Sequence, residues 1–205
     1  MLTNQKITDF LEKTASGTAV PGGGSVSALS AALGAGLAEM VANLTIAKKG
    51  YEAVEGEMQA IAEVLKNLRE KLVTEVDKDS DAYTGVLAAF KLPKNTEAEK
   101  EVRAVTIQEA MKNAARVPLG VAYDSMQVMD LAEKVIRNGN RNAASDGAVG
   151  TMMARTAVLG ALFNVKINLA SVKDKAFVDK MTREVNQLEG RVHEREAEIL
   201  SYVKI

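Results

Sequence analysis

The sequence predicts an all-α protein, a single-domain bundle of long helices spanning residues 1–205, and three observations carry that reading. Hydrophobic residues make up 47% of the chain but aromatics only 4%, an interior of Ala, Val, Leu, Ile and Met that suits closely packed helices. Apolar residues recur at helical spacing over long stretches, and no period-2 strand pattern of useful length occurs. The third observation is placement: all three prolines fall where helical periodicity is interrupted or strained.

The elements follow in order. Thr3 to Lys13 reads as a short amphipathic piece with Ile7, Phe10 and Leu11 on one side. Ser16 to Gly24 reads as a loop holding Pro21 and three consecutive glycines. From Ser25 to about Lys48 runs an Ala-rich helix in which Gly34, Gly36, Ala38 and Ala42 leave little side chain and permit close approach of a neighbouring backbone. Its stretch from Val26 to Ile46 imitates a membrane span in length, but Glu39, Asn43, Ser27 and Ser30 interrupt it and no aromatic belt flanks it. A helix buried among helices explains the same residues.

Met58, Ile61, Leu65, Leu68, Leu72 and Val76 form an apolar stripe, continued by Tyr83, Val86, Leu87 and Phe90. One helix over Tyr51 to Phe90, bent near Asp77, accounts for it. Thr96 and Glu99 have the spacing of a capping box, so a new helix begins there and extends to about Asn138, kinked at Pro118. Asn138 to Asn142 is a stop and turn signal, since Gly and Asn tolerate positive φ, and Ser145 or Asp146 is suited to cap the following helix, Gly147 to about Ser171. A last, highly charged helix covers Lys173 to Val203 with Phe177, Met181, Val185, Leu188 and Val192 as its stripe.

Charge and composition exclude several functions. Twenty-six basic against twenty-seven acidic residues leave a net charge of −1, with no global field to hold nucleic acid or an anionic membrane. Without cysteine there is no disulfide, thiolate metal site or thiol nucleophile. The single histidine, His193, lies among charged residues of the last helix and reads as exposed. No metal site is expected. The start lacks the apolar run of a secretory signal, so a cytoplasmic location is expected.

Three constellations could carry chemistry. Pro21-Gly22-Gly23-Gly24-Ser25 precedes a helix, so free backbone N–H groups and the positive helix end meet in one loop. This is either an anion-binding loop or a flexible linker ending in a serine cap. Asp77, Asp79 and Asp81 crowd three carboxylates into five residues. On a solvated face they would only repel; a buried member would have a raised pKa and could exchange a proton near neutrality. Asn140, Ser145 and Asp146 offer short polar groups at a helix start. Asn164 and Asn168 sit at i and i+4 within an apolar run, where an unpaired buried amide costs about 1–3 kcal/mol, so helix-to-helix bonding competes with ligand binding as their purpose.

Several of these motifs occur together and in order: Pro21-Gly22-Gly23-Gly24-Ser25-Val26, Val76-Asp77-Lys78-Asp79-Ser80-Asp81-Ala82-Tyr83, Leu92-Pro93-Lys94-Asn95-Thr96, Val117-Pro118-Leu119, Gly139-Asn140 with Ser145-Asp146, and Phe163-Asn164-Val165. The set resembles the cyclodeaminase domain of formiminotransferase-cyclodeaminase and its stand-alone bacterial relatives, which include methenyltetrahydrofolate cyclohydrolases. The likeness covers nearly the whole chain and leaves no room for a formiminotransferase half.

The resemblance implies an all-α homodimer or larger homo-oligomer that binds folate near a subunit interface. It also implies closure of 5-formiminotetrahydrofolate to 5,10-methenyltetrahydrofolate with loss of ammonia, with no cofactor beyond the folate. Asp79 matches the family's catalytic aspartate, with Asp77 raising its pKa. Gly22, Gly23, Gly24 and Ser25 are then candidates to meet the pterin or a carboxylate, Lys48 and Lys49 the glutamate tail, and Asn140, Ser145, Asp146 and Asn164 the pterin edge. Self-association is expected through the Ala/Gly-rich helix. Two alternatives stand: methenyltetrahydrofolate cyclohydrolase chemistry in the same pocket, and a non-catalytic folate-binding or scaffold module.

Overall fold

The computed structural model describes residues 1–204, and within them every regular element is helical. Six α-helices follow one another: α1 (Ile7–Ala15), α2 (Gly23–Asn43), α3 (Glu55–Phe90), α4 (Glu97–Asn138), α5 (Ala144–Leu169) and α6 (Lys175–Ser201), with single 3-10 turns at Leu2–Asn4, Glu52–Val54 and Arg141–Ala143. The capping box forms as its spacing predicts: the Glu99 N–H donates to Thr96 Oγ1, and Glu99 Oε2 accepts from the Thr96 N–H.

Helix α2 is the centre of the bundle, flanked by α3, α4 and α5. Helices α3 and α5 run antiparallel to it and α4 runs parallel. Gly34 lies against Gly150, where a Cβ would come within 2.7 Å of the Gly150 carbonyl oxygen, and the Ser30 hydroxyl donates to the Met153 carbonyl at 2.8 Å. Gly34 is thus taken up by the α2–α5 contact and Gly36 faces Arg69 of α3, while Val26, Leu33 and Met40 are the large apolar side chains that α2 leaves at the surface. Both α2 and the Arg141–Leu169 stretch are long and apolar enough to cross a membrane by composition, but half or more of each apolar window is buried within the protein.

The α3 stripe is buried throughout, from Met58 to Val76, as are Met181, Val185, Leu188 and Val192 of α6. Helix α3 runs on past Asp77 and α4 past Pro118, one helix each as the periodicity predicts. Several other expectations are corrected. Of the α1 side chains only Phe10 is buried, Ile7 and Leu11 being exposed. Helix α5 begins three residues before Gly147, without a side-chain cap from Ser145 or Asp146; Asn140 instead accepts from the Asn142 N–H to close the preceding 3-10 turn. Gly139 has φ −84°, so no left-handed backbone explains it. It is there because a Cβ would collide with the Val135 carbonyl oxygen and crowd Thr45 Oγ1.

Candidate active site

Helices α2 and α3 cross so that the first turn of α2 faces the middle of α3, and this crossing builds the site. Gly22 caps α2, and Gly23 and Gly24 form its first positions. From α3, Asp79 projects into that turn, where the buried Ser25 hydroxyl donates to Asp79 Oδ2 at 2.9 Å and the Ser25 N–H donates as well. The anion at the start of α2 is thus the protein's own carboxylate, held where the helix dipole favours negative charge. Gly24 permits the approach: a Cβ there would overlap the Asp79 carboxylate.

Asp79 forms one wall of a crevice of about 360 Å³. Gly22, Gly23 and Gly24 form a second wall, and Asn164 and Asn168 of α5 a third. Tyr83, Val86 and Phe90 continue from Asp79 along α3 at steps of 4, 3 and 4 residues, so one face of one helix carries both the carboxylate and the apolar lining. Burial pushes the Asp79 carboxyl above the usual aspartate range, more strongly than the Ser25 hydrogen bonds pull it down. It is a half-buried acid beside a hollow, able to change charge in response to a bound molecule.

Asp77 does something else. Two residues along an α-helix turn the side chain by about 200°, and Asp77 faces away from the crevice, accepting from the Leu2 N–H and, at 2.7 Å, from the Thr3 hydroxyl. Burial alone would raise its pKa, but together the Thr3 hydroxyl, the Leu2 and Thr3 N–H groups and the chain's amino terminus bring it below the usual range. It anchors the N-terminal segment to α3 and does not tune Asp79.

The remaining expected residues divide by position. Asn164 lines the crevice, its amide donating to the Gly160 carbonyl at 2.8 Å, and Gly23 leaves room for that amide, since a Cβ would come within 3.3 Å of Nδ2. Asn168 also lines it while donating to the Ala114 carbonyl of α4 at 2.7 Å, so the helix-to-helix role and the lining role coincide. Lys48 and Lys49 follow the C-terminus of α2, about 30 Å from its glycine end at 1.5 Å per residue. Asn140, Ser145 and Asp146 stand at that same far end, because α5 runs antiparallel to α2. Asn140 is buried there, its N–H donating to Thr45 Oγ1 and its amide to the Leu44 carbonyl. The structure does not bring these five residues to the Asp79 crevice.

Fold and site together define a helical protein with a single buried-edge carboxylate presented to a small-molecule crevice. A family model described as formiminotransferase-cyclodeaminase matches residues 6–187. The chain is 40% identical over 198 residues to a methenyltetrahydrofolate cyclohydrolase of Methylorubrum extorquens, covering 95% of each. It is 34% identical to the formimidoyltransferase-cyclodeaminase of Mus musculus, over 91% of this chain but only 35% of that protein. Among solved structures, a formiminotetrahydrofolate cyclodeaminase from Thermotoga maritima superimposes with a TM-score of 0.87 at 32% identity, covering 99% of this chain and 98% of that one. The chain belongs to the formiminotransferase-cyclodeaminase family.

Proposed function

We propose that the crevice holds a reduced folate with its one-carbon unit against Asp79, and that this carboxylate moves the protons as the carbon bridging N5 and N10 gains or loses a heteroatom. The observation that carries the reading is the Asp79 environment: a carboxylate pinned by Ser25, raised in pKa by burial, on the edge of a hollow of small-molecule size. In the cyclodeaminase direction, N10 of 5-formiminotetrahydrofolate, whose basic formimino nitrogen enters protonated, attacks the formimino carbon to give a tetrahedral centre bearing N5, N10 and an amino group. Asp79 takes the N10 proton and returns it to the amino nitrogen. Ammonia then departs, and the positive charge is shared between N5 and N10 of the 5,10-methenyl product. Every step is a proton transfer or a C–N bond change, so no cofactor beyond the folate is required.

Hydrolysis of 5,10-methenyltetrahydrofolate is the second reading, favoured by the 40% identical relative from Methylorubrum extorquens named for that activity. Water replaces the amine, Asp79 accepts its proton as the C–O bond forms, and the same tetrahedral carbon then releases one ring nitrogen. One assay separates the two. Purified protein is given each substrate while the methenyl absorbance is followed: the signal rises with 5-formiminotetrahydrofolate if the protein is a cyclodeaminase and falls with 5,10-methenyltetrahydrofolate, faster than the uncatalysed rate, if it is a cyclohydrolase. No change with either, together with no folate binding, overturns both and leaves the scaffold alternative.

A further inference from the structure

Ala82 stands between two hollows. On one side is the Asp79 crevice; on the other, between α3 and α4, lies a second hollow of about 340 Å³, and Ala82 lines both. Ala82 follows Asp79 by three residues, a step that carries a helical side chain back by about 60° around the axis. The acid therefore faces the front hollow while its neighbour on α3 forms the partition to the rear one. Across the seam, α4 presents Ala114 to the crevice and Ala110, four residues earlier, to the rear hollow. Ala82 and Ala114 are buried. The partition beside Asp79 is thus made of methyl groups.

The two hollows differ in character. The crevice is lined on the α3 side by Tyr83, Val86 and Phe90 beyond the acid, whereas the rear hollow is rimmed by Lys78, Asp81 and Asn113, all exposed to water. Lys78 is taken up by Glu75 at 2.6 Å. Asp81 is in no ion pair among the described residues. The rear hollow therefore offers an uncommitted carboxylate beside an amide, a rim suited to a small hydrogen-bond donor.

We infer that the rear hollow is the port for the small neutral partner of the reaction, ammonia on its way out or water on its way in, while the folate occupies the front. The inference rests on the folate reading above. With the one-carbon unit against Asp79, the body of the ligand covers the mouth of the crevice, and the molecule released or consumed at that carbon is left between the ligand and α3. Ammonia leaves the tetrahedral centre as neutral NH3. In that form it crosses a seam of methyl groups without carrying a charge out of water, which an ammonium ion would have to do. It takes up a proton from solvent in the rear hollow, where the Asp81 carboxylate offsets the new charge. In hydrolysis, water travels the same seam in the opposite direction. The partition is too narrow for the folate, so one route serves the pterin and another the single-heavy-atom molecule.

The test fills the rear hollow from its outer side. Asn113→Phe and Ala110→Phe add a ring there at residues that do not line the crevice, and Gly56→Phe, at an exposed position of α3 with nothing within 4 Å, is the control. Methenyl absorbance is followed with whichever substrate the wild type turns over, beside titration with tetrahydrofolate. Both plugs are expected to lower kcat by about tenfold as passage becomes limiting, with the tetrahydrofolate Kd within about twofold of wild type and Gly56→Phe like wild type in both. With 5-formiminotetrahydrofolate the first turnover, read by stopped flow, is expected to keep its wild-type rate while later ones slow, since the plug acts after the C–N bond has broken; with 5,10-methenyltetrahydrofolate the steady-state fall is the sign of slowed water entry. Asn113 is exposed, so its variant carries the test if Ala110→Phe fails to fold. A kcat that the folded plugs leave unchanged, or one that falls only as far as the Kd for tetrahydrofolate weakens, overturns the port but not the folate site. Wild type that neither turns over a folate nor binds one overturns the folate reading and the port with it.

Discussion

Gly24 and Asp79 are in contact across the α2–α3 crossing so closely that the glycine has no room for a methyl group: a Cβ would overlap all three carboxylate atoms. Gly24 is thus the opening for this one acid, while Gly23 makes room for Asn164. Gly24→Ala is expected to displace Asp79 from Ser25 and lower kcat by at least about tenfold, even though alanine is the better helix former by about 1 kcal/mol. Gly85→Ala, at a helical position with nothing within 4 Å, is the control and is expected to raise stability by about 0.4–1 kcal/mol. Steady-state kinetics beside thermal unfolding of both variants check the pair.

Asp79→Asn is expected to reduce turnover by about 10²–10⁴-fold, the range for losing a positioned acid–base group, while folate still binds. Its stability should depend on pH in a stated direction. The folded pKa of Asp79 lies above its unfolded value, so the group favours the fold fully below the unfolded pKa and loses that contribution as pH rises through the folded one. The unfolding temperature of Asp79→Asn relative to wild type is therefore expected to be more favourable at pH 8 than at pH 3. A difference that does not change with pH would contradict the raised pKa.

Ser25→Ala removes the hydroxyl that stabilises the charged form of Asp79. The carboxyl should rise further, and the acidic limb of the kcat/KM profile should move to higher pH. A limb that stays in place would assign that titration to another group.

Asp77→Asn is expected to leave the pH profile of turnover where it is and to loosen the first residues, because Asp77 holds the Leu2 N–H and the Thr3 hydroxyl. With a folded pKa below the ordinary value, its stabilisation is present above the unfolded pKa and is lost as pH falls through the folded one. The loss at neutral pH should be about 1 kcal/mol, read by denaturant unfolding. Faster amide exchange at Leu2 should accompany it.

Gly34→Ala places a methyl 2.7 Å from the Gly150 carbonyl oxygen. Overpacking at a rigid backbone contact costs about 1–3 kcal/mol, so a matching fall in unfolding free energy is expected without a shift in the pH profile.

Periodicity alone located the α3 and α6 stripes, and the Thr96–Glu99 box marked the start of α4, because these features are set by residues a few positions apart. Asp77 and Asp79 could also have been told apart locally, since two helical steps place them on nearly opposite faces. The role of Tyr83, Val86 and Phe90 was half legible. Their spacing continues the buried stripe, but Tyr83 and Phe90 are 41% and 47% exposed, because this end of α3 lies at the crevice rather than in the core. The Ser25–Asp79 bond joins residues 54 apart and depends on how α2 crosses α3, which no local pattern records. The same limit misplaced Lys48, Lys49, Asn140, Ser145 and Asp146: each is polar and near a helix end, but only the antiparallel run of α2 and α5 decides which end of the bundle that is.

Helix α3 is a single uninterrupted rod of 36 residues, and the reactive acid and the apolar wall share one face of it. Chemistry and fit are thereby separated by register. Exchanging residues 83, 86 or 90 would reshape the berth for a longer, shorter or differently substituted guest in steps of one helical turn while the proton carrier keeps its place, which makes that stripe the natural handle for redirecting the protein to a new molecule.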